Sequence, residues 1–262
     1  MRPSKILAAI RNGRAAKLCM LGHFMPPFIA YAAHANYDGV WLDLEHRAFD
    51  QREVQALLAF CHLYDIDCLL RPASRDKAVL YRYLEDGAAG LVIPHVSSAD
   101  EARELVRMVK FPPLGDRGTN GKGLEANFGL SATRDQLVSH GLRETFLVVQ
   151  MESPTSLANI NEILAVEGVD GVFGGGGDYV IRMQHLPTDQ QIPYVEAMQQ
   201  VADACEKHGK FWGTMAANES ELRQWHPMGA KILMWGVDME ILQEALVKGG
   251  ERLSAITSNT IY

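Results

Sequence analysis

Short apolar runs alternate along the chain with longer amphipathic stretches. The runs begin near Ala16 (AKLCMLGHF), Gly39 (GVWLDLEH), Asp67 (DCLLRPAS), Gly90 (GLVIPHVSS), Thr145 (TFLVVQME), Val169 (VDGVFGG), Lys210 (KFWGTM) and Ala230 (AKILMWGV). Their hydrophobicity is near-continuous rather than alternating, as in parallel strands covered on both faces. Helical patterns lie between them. Asp50 caps QREVQALLAFCHLYD, with Glu53 as its capping-box partner, and Ser98 caps ADEARELVRMVK, with Glu101 three residues on. Pro154 and Thr155 open SLANINEILAVE. Pro193 opens YVEAMQQVADACEKHG, closed by Gly209, and Asn218 caps ESELRQWHPMG, closed by Gly229. A last helix runs from Met239 through Val247. Eight strands alternating with helices in 262 residues predict one α/β domain over 1–262, a (β/α)₈ barrel. A doubly wound dinucleotide fold would need G-x-G-x-x-G after the first strand, where the chain reads GHFMPP. Residues 112–130 are glycine-rich and lack periodicity, so they are expected to form a lid or binding loop.

Composition narrows the class. The chain is 47% apolar and 22% charged, an ordinary globular balance, and its net charge is −7. That sign disfavours nucleic acid or an anionic membrane surface as partner, and leaves room for a small anionic substrate held by local cations. Cys19, Cys61, Cys68 and Cys205 lie in apolar stretches without a C-x-x-C pair and read as buried, reduced thiols of a cytoplasmic protein. The apolar run of the basic N-terminus covers only residues 6–10, too few for a signal h-region or a membrane span.

Barrel enzymes carry their chemistry where strands end. The second run ends in Asp43-Leu44-Glu45-His46, the third in Arg71 and the fourth in Pro94-His95. The fifth ends in Gln150-Met151-Glu152 and the sixth in Gly174 to Gly177 followed by Asp178. Glu152 and Asp178 close neighbouring strands, and two carboxylates with open positions suit a hard divalent cation such as Mg²⁺ or Mn²⁺. Spacing alone leaves open that each merely caps the helix that follows it. The glycine run lets backbone N–H groups approach an anion. Arg71 is either a salt-bridge partner or an oxyanion donor, and His46 either a general base or a satisfied loop histidine. His23 and His95 also stand at strand ends within reach of the site. A lysine-imine mechanism lacks a good candidate, because Lys17, Lys210 and Lys231 stand at strand starts, on the opposite face, Lys122 lies in the 112–130 loop, and the rest fall on helices or termini.

These residues carry a resemblance. YDGVWLDLEHRAFD (37–50), LLRPAS (69–74), YLEDGAAGLVIPHVSSADEA (83–102), FPPLGDRG (111–118), VVQMESPTSLANINEILAVEGVDGVFGGGGD (148–178) and MGAKILMWGVD (228–238) follow in order over nearly the whole chain. Together they resemble the HpcH/HpaI aldolases, metal-dependent (class II) pyruvate aldolases acting on 4-hydroxy-2-oxo acids. The resemblance implies Glu152 and Asp178 as metal ligands, for Mg²⁺ or Mn²⁺ or, alternatively, Co²⁺ or Zn²⁺. It implies Arg71 as the group that stabilises pyruvate enolate and His46 as the proton-transfer residue, supported by Asp43 and Glu45. Gln150, Gly176, Gly177 and Asp178 join Arg71 as substrate contacts. Glu85 stands where the family often has an aspartate that reaches a neighbouring subunit's histidine. The resemblance further implies a homohexamer, a trimer of dimers with exchanged C-terminal helices. The family commonly reads G-P-x-D-L-S around the second ligand. Here Gly175-Gly176-Gly177-Asp178-Tyr179-Val180 lacks that proline and serine.

The activity so implied is cleavage of a 4-hydroxy-2-oxo acid to pyruvate and an aldehyde, or the reverse addition. Two other enzyme readings are a citrate-lyase-type lyase of a CoA thioester, with Arg117, Lys122 and Arg143 as a small basic patch, and an oxaloacetate decarboxylase. A non-enzyme reading is a metal-dependent binder of 2-oxo acids. The walls of the substrate site are expected from 112–130, from His23 to Phe28 and from Met215 to Ala217, and Trp212 and Trp235 are expected in the core or an interface.

Overall fold

A computed structural model of the chain describes residues 1–130 and 132–257. Eight parallel strands close into one barrel in sequence order: β1 (Ala16–Leu21), β2 (Gly39–Asp43), β3 (Asp67–Arg71), β4 (Gly90–Ile93), β5 (Phe146–Met151), β6 (Gly171–Gly174), β7 (Phe211–Met215) and β8 (Ile232–Val237). All eight lie within or next to the apolar runs. β8 pairs back onto β1, with a register shift between Leu18 and Met20. The fold is therefore a single-domain (β/α)₈ barrel.

Among the described residues, twelve α-helices surround the strands: α1 (Lys5–Arg11), α2 (Pro26–His34), α3 (Gln51–Leu63), α4 (Lys77–Glu85), α5 (Ala99–Val109), α6 (Arg134–Glu144), α7 (Pro154–Ala158), α8 (Ile160–Leu164), α9 (Gly176–Gln184), α10 (Tyr194–His208), α11 (Glu219–Trp225) and α12 (Asp238–Thr257). Asp50 and Glu53 form the expected capping box on α3, Ser98 caps α5, Asn218 caps α11, and Gly209 closes α10 with φ 65°. The stretch after Pro154 is two short helices, not one, because the chain breaks helical geometry at Asn159, whose side chain donates to the Ser97 carbonyl at 2.8 Å. α12 runs ten residues beyond its expected end at Val247. Gly249 and Gly250 stay helical there, since glycine lowers helix propensity without forbidding it.

Two cores follow from the two-residue period of a strand. Trp41, Leu69, Val92, Phe146, Val148, Phe173, Ile232 and Met234 fill the barrel interior, with Ile6 of α1 closing its strand-start end. Val40, Leu70, Ile93, Leu147 and Val172 face outward into the shell of helices. The same alternation brings Asp43, Arg71, Gln150 and Glu152 onto the inward side at the strand-finish end. There the barrel mouth opens.

The loop 112–130 corrects an expectation. It lies at the strand-start end, away from the mouth. Lys110, which leads into it, bonds the Thr145 carbonyl and Asp170, both just before strands begin. Gly123 packs on the Glu85 backbone at the end of α4, and Leu124 against Gly87. Arg117 pairs with Glu125 at 2.5 Å, with its guanidinium 4.4 Å from the centre of the Phe111 ring. Arg117 is buried, so the basic surface patch expected of Arg117, Lys122 and Arg143 does not form. The loop is ordered by its own ion pair and apolar anchors, which glycine spacing alone does not reveal.

α12 stands off the barrel. Only Asp238 of the helix is buried, while Ile241, Leu242, Leu246, Val247, Leu253 and Ile256 are exposed. The place beside β8 and β1 is instead a groove of about 750 Å³, lined by Leu18, Tyr37, Leu222, Leu233 and Trp235. Trp212, by contrast, is buried against Trp225. No helix among the described residues is long and apolar enough to cross a membrane, and all four cysteines are buried and free.

Candidate active site

The mouth holds a cavity of about 300 Å³. His46, Arg71, Gln150, Gly174 to Gly177 and Asp178 line it, and Met20, Trp41, Phe173, Met215 and Met234 form its apolar side. The predicted residues of β2, β3, β5 and β6 thus meet in one place.

Arg71 is held from several sides. Its Nε donates to Asp43 Oδ1 at 2.9 Å, its Nη1 lies 3.0 Å from Glu45 Oε2, and its Cζ sits 5.4 Å from the centre of the Trp41 ring. Asp43 also accepts from the Glu45 backbone N–H at 3.1 Å, so one buried carboxylate organises both the loop after β2 and the guanidinium. His46 is more open. Its Nε2 is 3.6 Å from Glu45 Oε2, and more than half of its side chain is exposed.

Glu152 is 1% exposed. Its Oε1 accepts from the His95 backbone N–H at 2.8 Å and also meets His95 Nδ1. Its Oε2 is buried with no hydrogen-bond partner. An orphaned carboxylate oxygen is costly to bury and marks a place for a cation or donor. Burial pushes the Glu152 carboxyl above the usual carboxylate range. Contact with His95 opposes that rise, and the charges on Asp178 and Glu45 add to it. Asp178 lies in the first turn of α9, whose N-cap is Gly175, while the cap of α7 is Ser153. Neither acid caps a helix, so the capping alternative fails for both. Among the described residues, no three or more His, Cys, Asp or Glu side chains form a metal cage. Two carboxylates beside an open cavity fit a cation that keeps positions free for water and substrate.

The glycine run is shaped by these neighbours. A Cβ on Gly175 would lie 2.6 Å from Gln150 Nε2 and 2.8 Å from Glu152 Cβ, whereas one on Gly177 would meet nothing within 4 Å. Gly176, Gly177 and Asp178 of the first turn of α9 line the cavity, and the first N–H groups of a helix have no partner within the helix itself.

Two predicted participants stand elsewhere. Glu85 ends α4 at the strand-start end, where burial raises its carboxyl above the usual range while Asn120 and Arg117 pull it back. Within one chain it does not meet His46. His23 reaches the strand-finish end, but its Nδ1 is paired 2.9 Å from buried Asp238, which also accepts from the Gly22 N–H. His95 was the residue undervalued by sequence: its Nε2 lies 3.0 Å from Glu45 Oε1, so its ring spans Glu45 and Glu152. Strand alternation would send it outward after Ile93. A left-handed backbone, φ 60°, ends that alternation, and only the flanking Pro94 hinted at a break.

A family model described as HpcH/HpaI aldolase/citrate lyase matches residues 18–245. The chain belongs to this family. Its members named aldolases and lyases are enzymes that make and break carbon–carbon bonds. The chain is 32% identical over 237 residues to a hydroxypyruvate/pyruvate aldolase from Pseudomonas aeruginosa, covering 90% of this chain and 88% of that one. It is 31% identical over 238 residues to a 4-hydroxy-2-oxo-heptane-1,7-dioate aldolase from Escherichia coli, covering 91% and 90%. The solved HpcH/HpaI aldolase from Desulfitobacterium hafniense DCB-2 superposes with a TM-score of 0.86 at 29% identity, over 95% of this chain and 96% of that one.

Proposed function

We propose that the protein is a divalent-cation-dependent aldolase that cleaves a 4-hydroxy-2-oxo acid to pyruvate and an aldehyde, and catalyses the reverse addition. The observation that carries this reading is the buried, unpartnered Oε2 of Glu152 beside a cavity that also holds Arg71 and His46. The aldolases named among relatives at 30% identity or more support it over CoA-thioester lyase or decarboxylase chemistry.

Glu152 and Asp178 would hold the cation, Mg²⁺ or Mn²⁺ by the hardness of their oxygens. Bound there, it supplies electrophilic polarisation of the 2-oxo group. The N–H groups of Gly177 and Asp178 receive the substrate carboxylate at the start of α9. His46 takes the proton from the C4 hydroxyl. The C3–C4 bond then breaks, its electron pair forming the enolate and the C4–O bond becoming the aldehyde carbonyl. Arg71, already fixed by Asp43 and Glu45, stabilises the enolate oxygen, and return of the proton from His46 to C3 yields pyruvate. The test is chelation. Dialysis against EDTA is expected to abolish pyruvate release from 4-hydroxy-2-oxo acids, and added Mn²⁺ to restore it. Full turnover in excess chelator, with no metal by elemental analysis, would refute the two-carboxylate site.

The working form in this reading is an oligomer, a cytoplasmic hexamer built as a trimer of dimers. The exposed apolar side chains of α12 match the vacant groove beside β8 and β1 in chemistry, so a second copy's helix fills it. Glu85, remote from its own cavity, would act at a neighbour's His46.

A further inference from the structure

His95 takes no part in the proposed cleavage, yet it is held at three points at the barrel mouth. Its φ of 60° is a conformation that non-glycine residues hold only where the surroundings over-determine it, and such positions cluster at functional sites. Three contacts do the holding. The backbone N–H donates to Glu152 Oε1 at 2.8 Å, ring Nδ1 meets that same oxygen, and ring Nε2 lies 3.0 Å from Glu45 Oε1. One Glu152 oxygen is therefore gripped by backbone and side chain together, while the other is buried and free. Arg182 reaches the same corner. Its Nη2 is 3.4 Å from His95 Nδ1, but its bond to Glu152 goes to the carbonyl oxygen, not the carboxylate.

We infer that His95 is a positioning residue: it holds Glu152 by one oxygen so that the other is presented, alone and correctly aimed, to a divalent cation. This rests on the reading of Glu152 and Asp178 as cation ligands. A carboxylate with two equivalent oxygens can rotate, or chelate a cation through both. Fixing one oxygen removes that freedom and leaves a single-oxygen ligand, with positions free for substrate. Partners of this kind, one shell removed from a metal, orient the ligand without touching the ion. Glu45 anchors the far side of the ring and also faces Arg71 Nη1 at 3.0 Å, so the grip on the cation ligand is braced against the residue that faces the enolate.

The experiment measures binding of Mn²⁺ alone, by loss of the free-ion electron paramagnetic resonance signal, to the wild-type chain and to His95→Gly and His95→Asn. Glycine and asparagine both accept the left-handed backbone, and both keep the main-chain N–H on Glu152, but neither side chain spans Glu152 and Glu45. Both variants are expected to keep the wild-type circular dichroism and to bind Mn²⁺ about 10–100-fold more weakly. A structural role alone would lower thermal stability without that loss of affinity. An unchanged or tighter Mn²⁺ dissociation constant in either folded variant overturns the role of His95 and leaves the cation site standing. If the wild-type chain binds no Mn²⁺, the two-carboxylate site itself fails, and the inference fails with it.

Discussion

Before any substrate arrives, the Arg71 guanidinium is already clamped. Asp43 and Glu45 hold Nε and Nη1 at 2.9 and 3.0 Å, and the Trp41 ring lies beneath. A donor fixed in this way need not reorganise when negative charge develops, which is what makes oxyanion stabilisation effective in a partly dry site. Arg71→Ala should lower kcat by roughly 10²–10³, the usual loss for one such donor. Arg71→Lys keeps the charge but not the planar fork, so it should recover only part of the rate. Steady-state pyruvate release checks both, and near-normal turnover by Arg71→Ala would remove Arg71 from the enolate. At this scale, chemical type at strand ends was readable: Asp43, Arg71, Gln150 and Glu152 share the inward side because of a two-residue period. His95 was not readable, because its backbone angle and not its spacing turns it toward Glu152.

The segment from Gly174 through α9 shows how an element builds a site. A glycine run reads as a loop, yet here it is a strand end joined to the first turn of a helix. Each glycine has its own reason. Gly175 faces Gln150 and Glu152 too closely for any Cβ, while Gly177 faces open space inside a helix. The two should respond to alanine with opposite signs. Gly177→Ala is expected to stabilise the fold by about 0.4–1 kcal/mol, through lost freedom in the unfolded chain. Gly175→Ala should lower the melting temperature and weaken Mn²⁺ binding, because Gln150 or Glu152 must move. Thermal unfolding of both variants, with and without Mn²⁺, decides it. Equal responses would mean that the packing around Gly175 is looser than the structure indicates. The sequence allowed a short helix only after Asp178, as one alternative; α9 begins two residues earlier, inside the glycine run, where low helix propensity hid its first turn.

For the assembled molecule, the informative features are a helix without a groove and a groove without a helix. α12 exposes Ile241, Leu242, Leu246 and Val247, and Trp235 lies 44% exposed in the vacant channel. Deleting residues 239–262 should convert an oligomer to monomers or aggregates, read by light scattering after gel filtration. A full-length chain that runs as a monomer would defeat the helix-exchange proposal. The loop 112–130 teaches a related point. Its composition marked it as unusual, but its address came from a buried Arg117–Glu125 pair and from Gly123 packed on Glu85 at the strand-start end. What the amino-acid order determined was periodic and local: eight apolar runs at barrel spacing, the caps Asp50, Ser98 and Asn218, and an inward set of acids with one arginine. Periodicity suffices there because burial on both faces and hydrogen bonding along the backbone act within a few residues. Tertiary structure alone decided which groups meet across the barrel. His95 turns in to Glu152, the capping alternative fails for Asp178, Glu85 lies at the wrong end for its own His46, and α12 leaves the barrel. Those outcomes depend on distances between segments far apart in the chain, set by closure of the sheet and by side-chain packing rather than by any local preference.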